Sequence, residues 1–201
     1  MEILKSFLVN REENQSEKII IRHRTDEDFS CTVEFYQKIP QHENIHFDED
    51  VLNESVIKGF FNPPPDHEYI SLIALSGNEI IGECILRRRL NKRSAHVAEI
   101  RTYVLPVYRH LGIGFSMVKE MLFIALRKDI EKIYGKVPSQ SLPYFEDLAI
   151  RLGFEKEAVL VGHVKDIRGK KHDLIFFAQD LNALWDTMSD WQAPYGRAME
   201  Y

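Results

Sequence analysis

Short apolar runs separated by polar turns divide the chain into strands and helices. Three successive isoleucines at residues 19–21 are typical of a strand, because β-branched side chains favour that conformation. Thr25, followed three positions later by Asp28, is typical of a helix start, and Pro40 ends that helix. Apolar residues at helical spacing predict a second helix over residues 48–61.

The middle of the chain predicts three strands that follow one another without a helix between them. Two of them, over residues 69–75 and 79–87, flank Ser76-Gly77-Asn78, which suits a hairpin turn. The third covers residues 96–105 and ends at Pro106. Consecutive strands with short turns predict antiparallel pairing.

After these strands the pattern becomes mixed. Apolar residues recur at helical spacing from Ile113 to Ala125. The remaining predicted elements are a strand over 132–137, a helix over 143–152, two strands over 157–164 and 173–178, and a closing helix over 181–192. This order predicts an α/β fold with a mixed, mostly antiparallel central sheet flanked by helices.

One domain is expected, since 201 residues suffice for a single sizeable core. It spans residues 18–181. Residues 1–17 are polar and without period apart from a brief apolar stretch, so they are interpreted as a lead-in without defined structure. Residues 182–201 are expected to form a C-terminal helix and tail, in which Trp185, Met188 and Trp191 suggest an interface for a homodimer.

Composition and charge exclude several classes of protein. No apolar run reaches the roughly 18 residues of a membrane span, and the first residues do not resemble a secretory signal, so we expect a cytoplasmic protein without a membrane partner. The net charge of -5 argues against a nucleic-acid partner, although a basic cluster at residues 87–93 keeps that class as a third alternative. Cys31 and Cys84 stand alone, which favours buried thiols and no metal site.

The segment with the clearest chemistry joins the third strand to the helix at Ile113. It reads Arg109-His110-Leu111-Gly112-Ile113-Gly114. A glycine-rich loop that runs into a helix leaves the first amide groups of that helix unpaired, and such a place binds phosphate. A phosphate-binding P-loop would need Gly-Lys-Ser/Thr, and a dinucleotide fingerprint would need a third glycine, so neither motif is present.

The wider segment over residues 99–114 resembles the acetyl-CoA-binding segment of GCN5-related N-acetyltransferases. Leu152-Gly153-Phe154 matches a second landmark of that family, in the right order and at the right separation. The resemblance implies the family's fold, acetyl-CoA as co-substrate and no metal. It also implies two strands that splay apart, and a cofactor that binds Thr102, Tyr103, Val104, Arg109, His110, Leu111, Gly112, Ile113, Gly114 and Phe115, largely through the backbone.

Glu99 is the candidate general base, which would take a proton from the acceptor amine. Strand alternation places Glu99 and Arg101 on one charged face, and the resemblance assigns the base to the position of Glu99. An ion pair between Glu99 and Arg101, or another partner, is the open alternative. His96 is a second candidate base, whereas His163 and His172 suit structural hydrogen bonds.

Many members of the resembling family protonate the departing thiolate with a tyrosine four residues before the glycine of Leu-Gly-Phe. That position is Ala149 here. Tyr144, earlier on the same predicted helix, is the candidate acid, with packing on the core as its alternative. A thiolate is a fair leaving group, so water is a second possible proton source.

The resemblance therefore predicts an enzyme, an N-acetyltransferase that moves the acetyl group of acetyl-CoA to a primary amine of a small molecule or peptide. Ala149 leaves a non-catalytic acyl-CoA-binding or sensing module as the alternative. The acceptor cleft is expected within residues 26–66. There Glu43, Asp48, Glu49 and Asp50 would favour a cationic acceptor, unless they form a solvated loop.

Overall fold

The computed structural model describes residues 3–11, 15–90 and 93–182, without the side chains of residues 10, 11, 15 and 144. In these ranges eight strands form one sheet in the order β1-β2-β3-β4-β5-β6-β8-β7. They are β1 Ile3–Arg11, β2 Gln15–His23, β3 His67–Ser76, β4 Glu79–Arg89, β5 Val97–Val104, β6 Lys132–Pro138, β7 Glu155–Lys165 and β8 Lys171–Asp180. The helices are α1 Phe29–Gln37, α2 Glu54–Phe61, α3 Ile113–Leu126 and α4 Leu142–Arg151.

All neighbouring strands in this sheet pair antiparallel except β5 and β6, which are parallel. The sequence-based fold class, an α/β protein with a mixed, mostly antiparallel sheet flanked by helices, is therefore confirmed. The closing helix and the three residues suggested for a homodimer, Trp185, Met188 and Trp191, lie outside the described residues.

Strand β1 is the main difference from the expected elements, because no structure was predicted before Lys18. It pairs with β2 from Ile3 to Arg11. Val9 is buried and Phe7 is partly buried, while Leu8 between them is exposed. An edge strand needs only such a short alternating face, which is too brief to distinguish from a loop in the sequence.

The first two helices also differ in their limits. The Thr25 and Asp28 capping box is present, with the Thr25 amide donating to Asp28 Oδ2 over 2.7 Å, but it opens a short 3₁₀ turn before α1. The helix predicted over residues 48–61 starts only at Glu54, because Asn53 accepts from the Ser55 amide and caps it.

The sheet is covered on both faces around β4. A side chain at Gly82 would meet Met117 of α3, whereas Glu83, the next residue, contacts Tyr36 of α1. Successive residues of a strand point to opposite faces, so α3 and α1 pack on opposite sides of the sheet. Met117 and Met121 are fully buried on the α3 side.

Gly153 ends α4 in a left-handed conformation, with φ of 79°. The Phe154 amide donates to the Ala149 carbonyl over 2.9 Å, and the Gly153 amide donates to the Ile150 carbonyl over 3.0 Å. These two bonds form a Schellman cap. The Leu152-Gly153-Phe154 landmark is thus explained by the geometry of a helix end.

We expect Gly153→Ala to destabilise the protein by about 2–4 kcal/mol, for two reasons. Alanine is strained in the left-handed backbone conformation, and its Cβ would collide with a neighbouring side chain. A Cβ would lie 2.7 Å from Gln179 Nε2, which donates to the buried Leu152 carbonyl. Gly169→Ala is the matched control, with φ of 77° and no atom within 4 Å of the added Cβ. Urea unfolding of both variants measures the difference, and equal losses would contradict the role of Gln179.

Candidate active site

A wedge opens in the sheet where β5 and β6 separate. Their parallel pairing covers three residue pairs and ends at Glu99 and Tyr134, although β5 continues to Val104 and β6 to Pro138. The other edge of β5 stays paired with β4 as far as Val104. One backbone edge of β5 is therefore available beyond Ile100 for a ligand that hydrogen-bonds like a strand.

The beginning of α3 lies at the mouth of this wedge. Gly112 is the residue before the helix and has φ of 75°, a conformation that glycine adopts without strain. The Ser116 amide donates to the Gly112 carbonyl over 3.0 Å, so the amides of Ile113, Gly114 and Phe115 precede that helical bond. Such amides, with the positive end of the helix dipole, suit a phosphate.

A cavity of about 430 Å³ fills the space between these features. Nine of the ten cofactor residues predicted from the sequence line it, and the tenth, Leu111, packs against the core. Further lining residues come from β6, the turn before α4, α4 itself and the segment before α2, and they include His46, Phe47, Lys136, Ser141, Phe145, Leu148 and Arg151. The structure thus brings together groups that are far apart in the sequence.

Glu99, the candidate base, lies beside this cavity and is not among the residues that line it. Its carboxylate accepts from Arg87 over 2.9 Å, contacts Lys136 Nζ at 3.1 Å and accepts from the Tyr134 hydroxyl over 3.2 Å. Arg101, the partner named first in the sequence-based alternative, binds Glu49 instead. Lys136 links the two places, since it contacts Glu99 and lines the cavity.

The other candidates for proton transfer are placed as follows. Ala149 is fully buried. Tyr144 lies in α4, and its side chain is outside the described part of the structure. His96 and His163 are exposed, and His172 contacts Asp166 at 3.0 Å. None of these three histidines is among the residues that line the cavity.

Residues 41–50, called here the covering segment, lie over the wedge and were not expected to hold fixed contacts. Glu43 accepts from the Tyr103 hydroxyl over 2.6 Å and from Arg109 over 3.1 Å. Asp48 binds Lys136, and Glu49 binds Arg87 and Arg101. Three of the four carboxylates suggested for a cationic acceptor are therefore paired with the protein's own cations, and Asp48 and Asp50 are exposed to solvent.

His46 ends the 3₁₀ helix Gln41–His46 within the covering segment, and its Nε2 lies 2.8 Å from Ser141 Oγ. Burial lowers the pKa of His46 to about 4, opposed by Glu43 and assisted by Arg109 and His42. The imidazole is therefore neutral near pH 7. This pair was missed because its members are 95 positions apart, and no local pattern connects them.

A second polar cluster missed in the sequence surrounds Glu83 in β4. This carboxylate is 3% exposed and accepts from Arg24 over 2.5 Å, from Tyr36 over 2.5 Å and from Ser71 over 2.8 Å. Burial, and then the Glu83 charge, raise the pKa of Tyr36 well above its ordinary value. The cluster is satisfied by its own members, as a buried charge requires.

Comparisons with known proteins agree with this architecture. A model of the acetyltransferase (GNAT) family matches residues 25–154. Among solved structures, an acetyltransferase of the GNAT family from Streptococcus pneumoniae shares 18% identity and a TM-score of 0.69, over 81% of this chain and 99% of that chain. A search among curated proteins finds no match.

Two other solved structures add detail about the relatives of this fold. The protein yncA from Salmonella typhimurium, solved with its cofactor acetyl-CoA, shares 17% identity and a TM-score of 0.68, over 81% of this chain and 94% of that chain. The ribosomal-protein-alanine N-acetyltransferase from Brucella melitensis shares 18% identity and a TM-score of 0.63, over 80% and 98%. At these identities the likeness establishes the fold.

Within residues 3–11, 15–90 and 93–182, no helix has both the length and the apolar character needed to cross a membrane. The same ranges contain no group of three or more histidine, cysteine, aspartate or glutamate side chains that could hold a metal ion.

We expect His46→Gln to make the protein less sensitive to acid. Between about pH 6.5 and 4 the unfolded chain binds a proton at His46 that the folded protein does not, so stability falls as the pH falls through this window. When the pH falls from neutral to about 5, the free energy of unfolding of the variant should decrease by roughly 2 kcal/mol less than that of wild type. Urea unfolding at both pH values checks this, with His42→Gln as control, because His42 is an exposed imidazole of the same helix.

Proposed function

Since the chain belongs to the acetyltransferase (GNAT) family, we propose that it transfers the acetyl group of acetyl-CoA to a primary amine. The observation that carries the proposal is the cavity between the separated ends of β5 and β6, with the start of α3 at its mouth. A strand-like pantetheine arm fits the open edge of β5, and a pyrophosphate fits the first amides of α3.

The cavity lining also supports an anionic, partly apolar ligand. Arg109, Lys136 and Arg151 contribute cationic side chains, and Phe115 and Phe145 contribute apolar surface. The Arg151 guanidinium lies 4.6 Å from the centre of the Phe115 ring. Coenzyme A combines phosphate charge with a long neutral arm, so this lining matches its chemistry.

In the proposed reaction the amine attacks the thioester directly, without an acyl-enzyme. An ammonium has no lone pair, so the acceptor must lose a proton first. We propose Glu99 as the base, acting directly or through water, because it lies next to the cavity through its contact with Lys136. Tyr144 stays a prediction for the proton donor.

The acceptor is proposed to be a small-molecule or peptide amine. The Brucella melitensis neighbour is a ribosomal-protein-alanine N-acetyltransferase, and that is a property of the neighbour. The covering segment forms the wall that such an acceptor would meet, because it lies over the cavity beside β5. Its paired carboxylates present little unbalanced negative charge, which favours recognition by shape over recognition of a cation.

A non-catalytic acyl-CoA-binding module is the second candidate. Two observations favour it, the apolar Ala149 at the position where many relatives place a tyrosine, and the pairing of Glu99 with two cations. Both candidates bind acetyl-CoA, and the enzyme alone releases free thiol when an amine is added.

We expect Gly112→Val to weaken the binding of CoA at least tenfold, because a β-branched residue cannot readily adopt φ of 75° and the amides of α3 would turn away from the cavity. Isothermal titration calorimetry with CoA measures the change. Gly77→Val is the matched control, since Gly77 also has a positive φ, of 57°, and no atom lies within 4 Å of an added Cβ. Equal binding by both variants would remove the loop from the proposed site.

We expect wild type to release thiol from acetyl-CoA in the presence of at least one amine of a mixed panel, and Glu99→Gln to lower kcat about 10²-fold or more. The affinity for CoA should stay similar, because Glu99 does not line the cavity. Binding of acetyl-CoA by wild type without turnover on any amine would support the sensing module. Turnover by Glu99→Gln at the wild-type rate, below the pKa of the amine, would reassign Glu99 to an ion pair.

A further inference from the structure

The hydrogen bond between His46 and Ser141 crosses the wedge from one side to the other. His46 belongs to the covering segment, which Glu43 holds to β5 through the Tyr103 hydroxyl. Ser141 follows the end of β6 and directly precedes α4. Both side chains line the cavity, and their atoms Nε2 and Oγ are 2.8 Å apart. The pair therefore stands where the two strands have separated.

Two neighbouring hydroxyls of the cavity lining are committed to other acceptors. Tyr103 donates to Glu43 over 2.6 Å, and burial, together with this carboxylate, raises the pKa of Tyr103. Thr102 donates to the Glu83 carbonyl over 3.3 Å. The Ser141 hydroxyl differs from both, because its partner is an imidazole, which can either donate or accept.

The charge state of His46 limits what this partner can do. Burial, with Arg109 and His42 acting in the same direction and Glu43 opposing, lowers the pKa of His46 to about 4. A neutral imidazole carries a single N–H and is a weak proton source at pH 7. Through its hydrogen bond, a neutral imidazole can still fix the direction of the serine hydroxyl.

From this geometry we propose, on the basis of the proposed acetyltransferase function, that Ser141 relays a proton to the departing thiol of CoA and that His46 positions its hydroxyl. Ser141 is then a catalytic residue and His46 a positioning residue. The relay requires the tautomer in which the imidazole carries its proton on Nε2 and donates it to Ser141 Oγ, because this leaves one lone pair and the hydroxyl proton for the reaction.

The step balances without any further reactant. The neutral amine attacks the thioester carbonyl carbon, a C–N bond forms, and the carbonyl π electrons move to oxygen. When they return, the C–S bond breaks and its electron pair leaves with sulfur. Ser141 Oγ accepts the proton from the positively charged nitrogen and passes its own proton to sulfur, so serine and imidazole end as they began.

The turn that begins α4 places the Ser141 hydroxyl in the cavity lining. Ser141 is the residue before α4, and Phe145 lies one turn further on and also lines the cavity, whereas Ala149 is fully buried. Ala149 supplies no proton, and side chains of a helix tilt toward its beginning, where Ser141 lies. The Ser141 hydroxyl therefore offers the cavity a proton donor that Ala149 does not.

The test compares Ser141→Thr with Ser141→Val, two side chains of the same shape of which only threonine has a hydroxyl. Under saturating acetyl-CoA, in a thiol-release assay with an amine that wild type accepts, kcat should be near wild type for threonine and about 10²-fold lower for valine. CoA affinity measured by calorimetry should be equal in the two variants. Ser139→Ala is the control, since Ser139 lies in the same turn and outside the cavity lining.

The positioning role of His46 has its own readout. His46→Gln keeps an amide N–H near the place of Nε2 and should retain most of the activity, whereas His46→Leu should lose about as much kcat as Ser141→Val. The double variant His46→Leu/Ser141→Val should be no slower than Ser141→Val alone, because the two residues act as one unit. His42→Gln, an exposed neighbour in the same helix, is the control.

Three results would overturn the proposal. Equal kcat for Ser141→Thr and Ser141→Val, with wild type active, rejects the relay and leaves the proposed function standing. A loss confined to Tyr144→Phe assigns the donor to Tyr144 instead. Binding of acetyl-CoA by wild type without thiol release on any amine rejects the acetyltransferase function, and the relay with it.

Discussion

The early end of the pairing between β5 and β6 is the constraint on which the rest of the site depends. Three parallel residue pairs hold the strands together, and beyond Glu99 each strand keeps only its other neighbour. The gap exposes a backbone edge inside a sheet, which a folded protein tolerates where a ligand or another segment covers it. Here α3, α4 and the covering segment surround the gap, so the cavity is a consequence of strand separation.

The polar face of the sheet shows how a fold can hold many charges under a covering segment. Arg87 lies directly opposite Glu99 in the register of β4 and β5, and Glu49 joins Arg87 to Arg101. Arg87 is shared between Glu49 and Glu99, whereas Arg101 pairs with Glu49, so removing Glu49 would leave the partly buried charge of Arg101 without this carboxylate. The ion pairs of this network thereby offset the cost of removing its charges from water. They also hold the segment that carries Glu49 in one position over the cavity.

Local patterns were sufficient for much of the fold and for the glycine-rich loop that lines the cavity. Gly112 before α3 and Gly153 after α4 mark left-handed backbone conformations, which glycine adopts easily. The charged face of β5 can be recognised from the alternation of charged and apolar residues along the strand. The partner of Glu99 was not predictable, because strand register decides between Arg87 and Arg101. His46 and Ser141, likewise, meet only after the whole sheet has formed.

The buried carboxylate of Glu83 has a consequence for how the molecule assembles. Its three donors come from the chain after β2, from α1 and from β3, while Glu83 itself lies in β4. Withdrawing a carboxylate from water before its donors arrive costs several kcal/mol, so these four parts gain stability only together. We infer that the helical layer on this face closes onto the sheet as one cooperative unit, and that local opening of α1 alone is rare in the native protein.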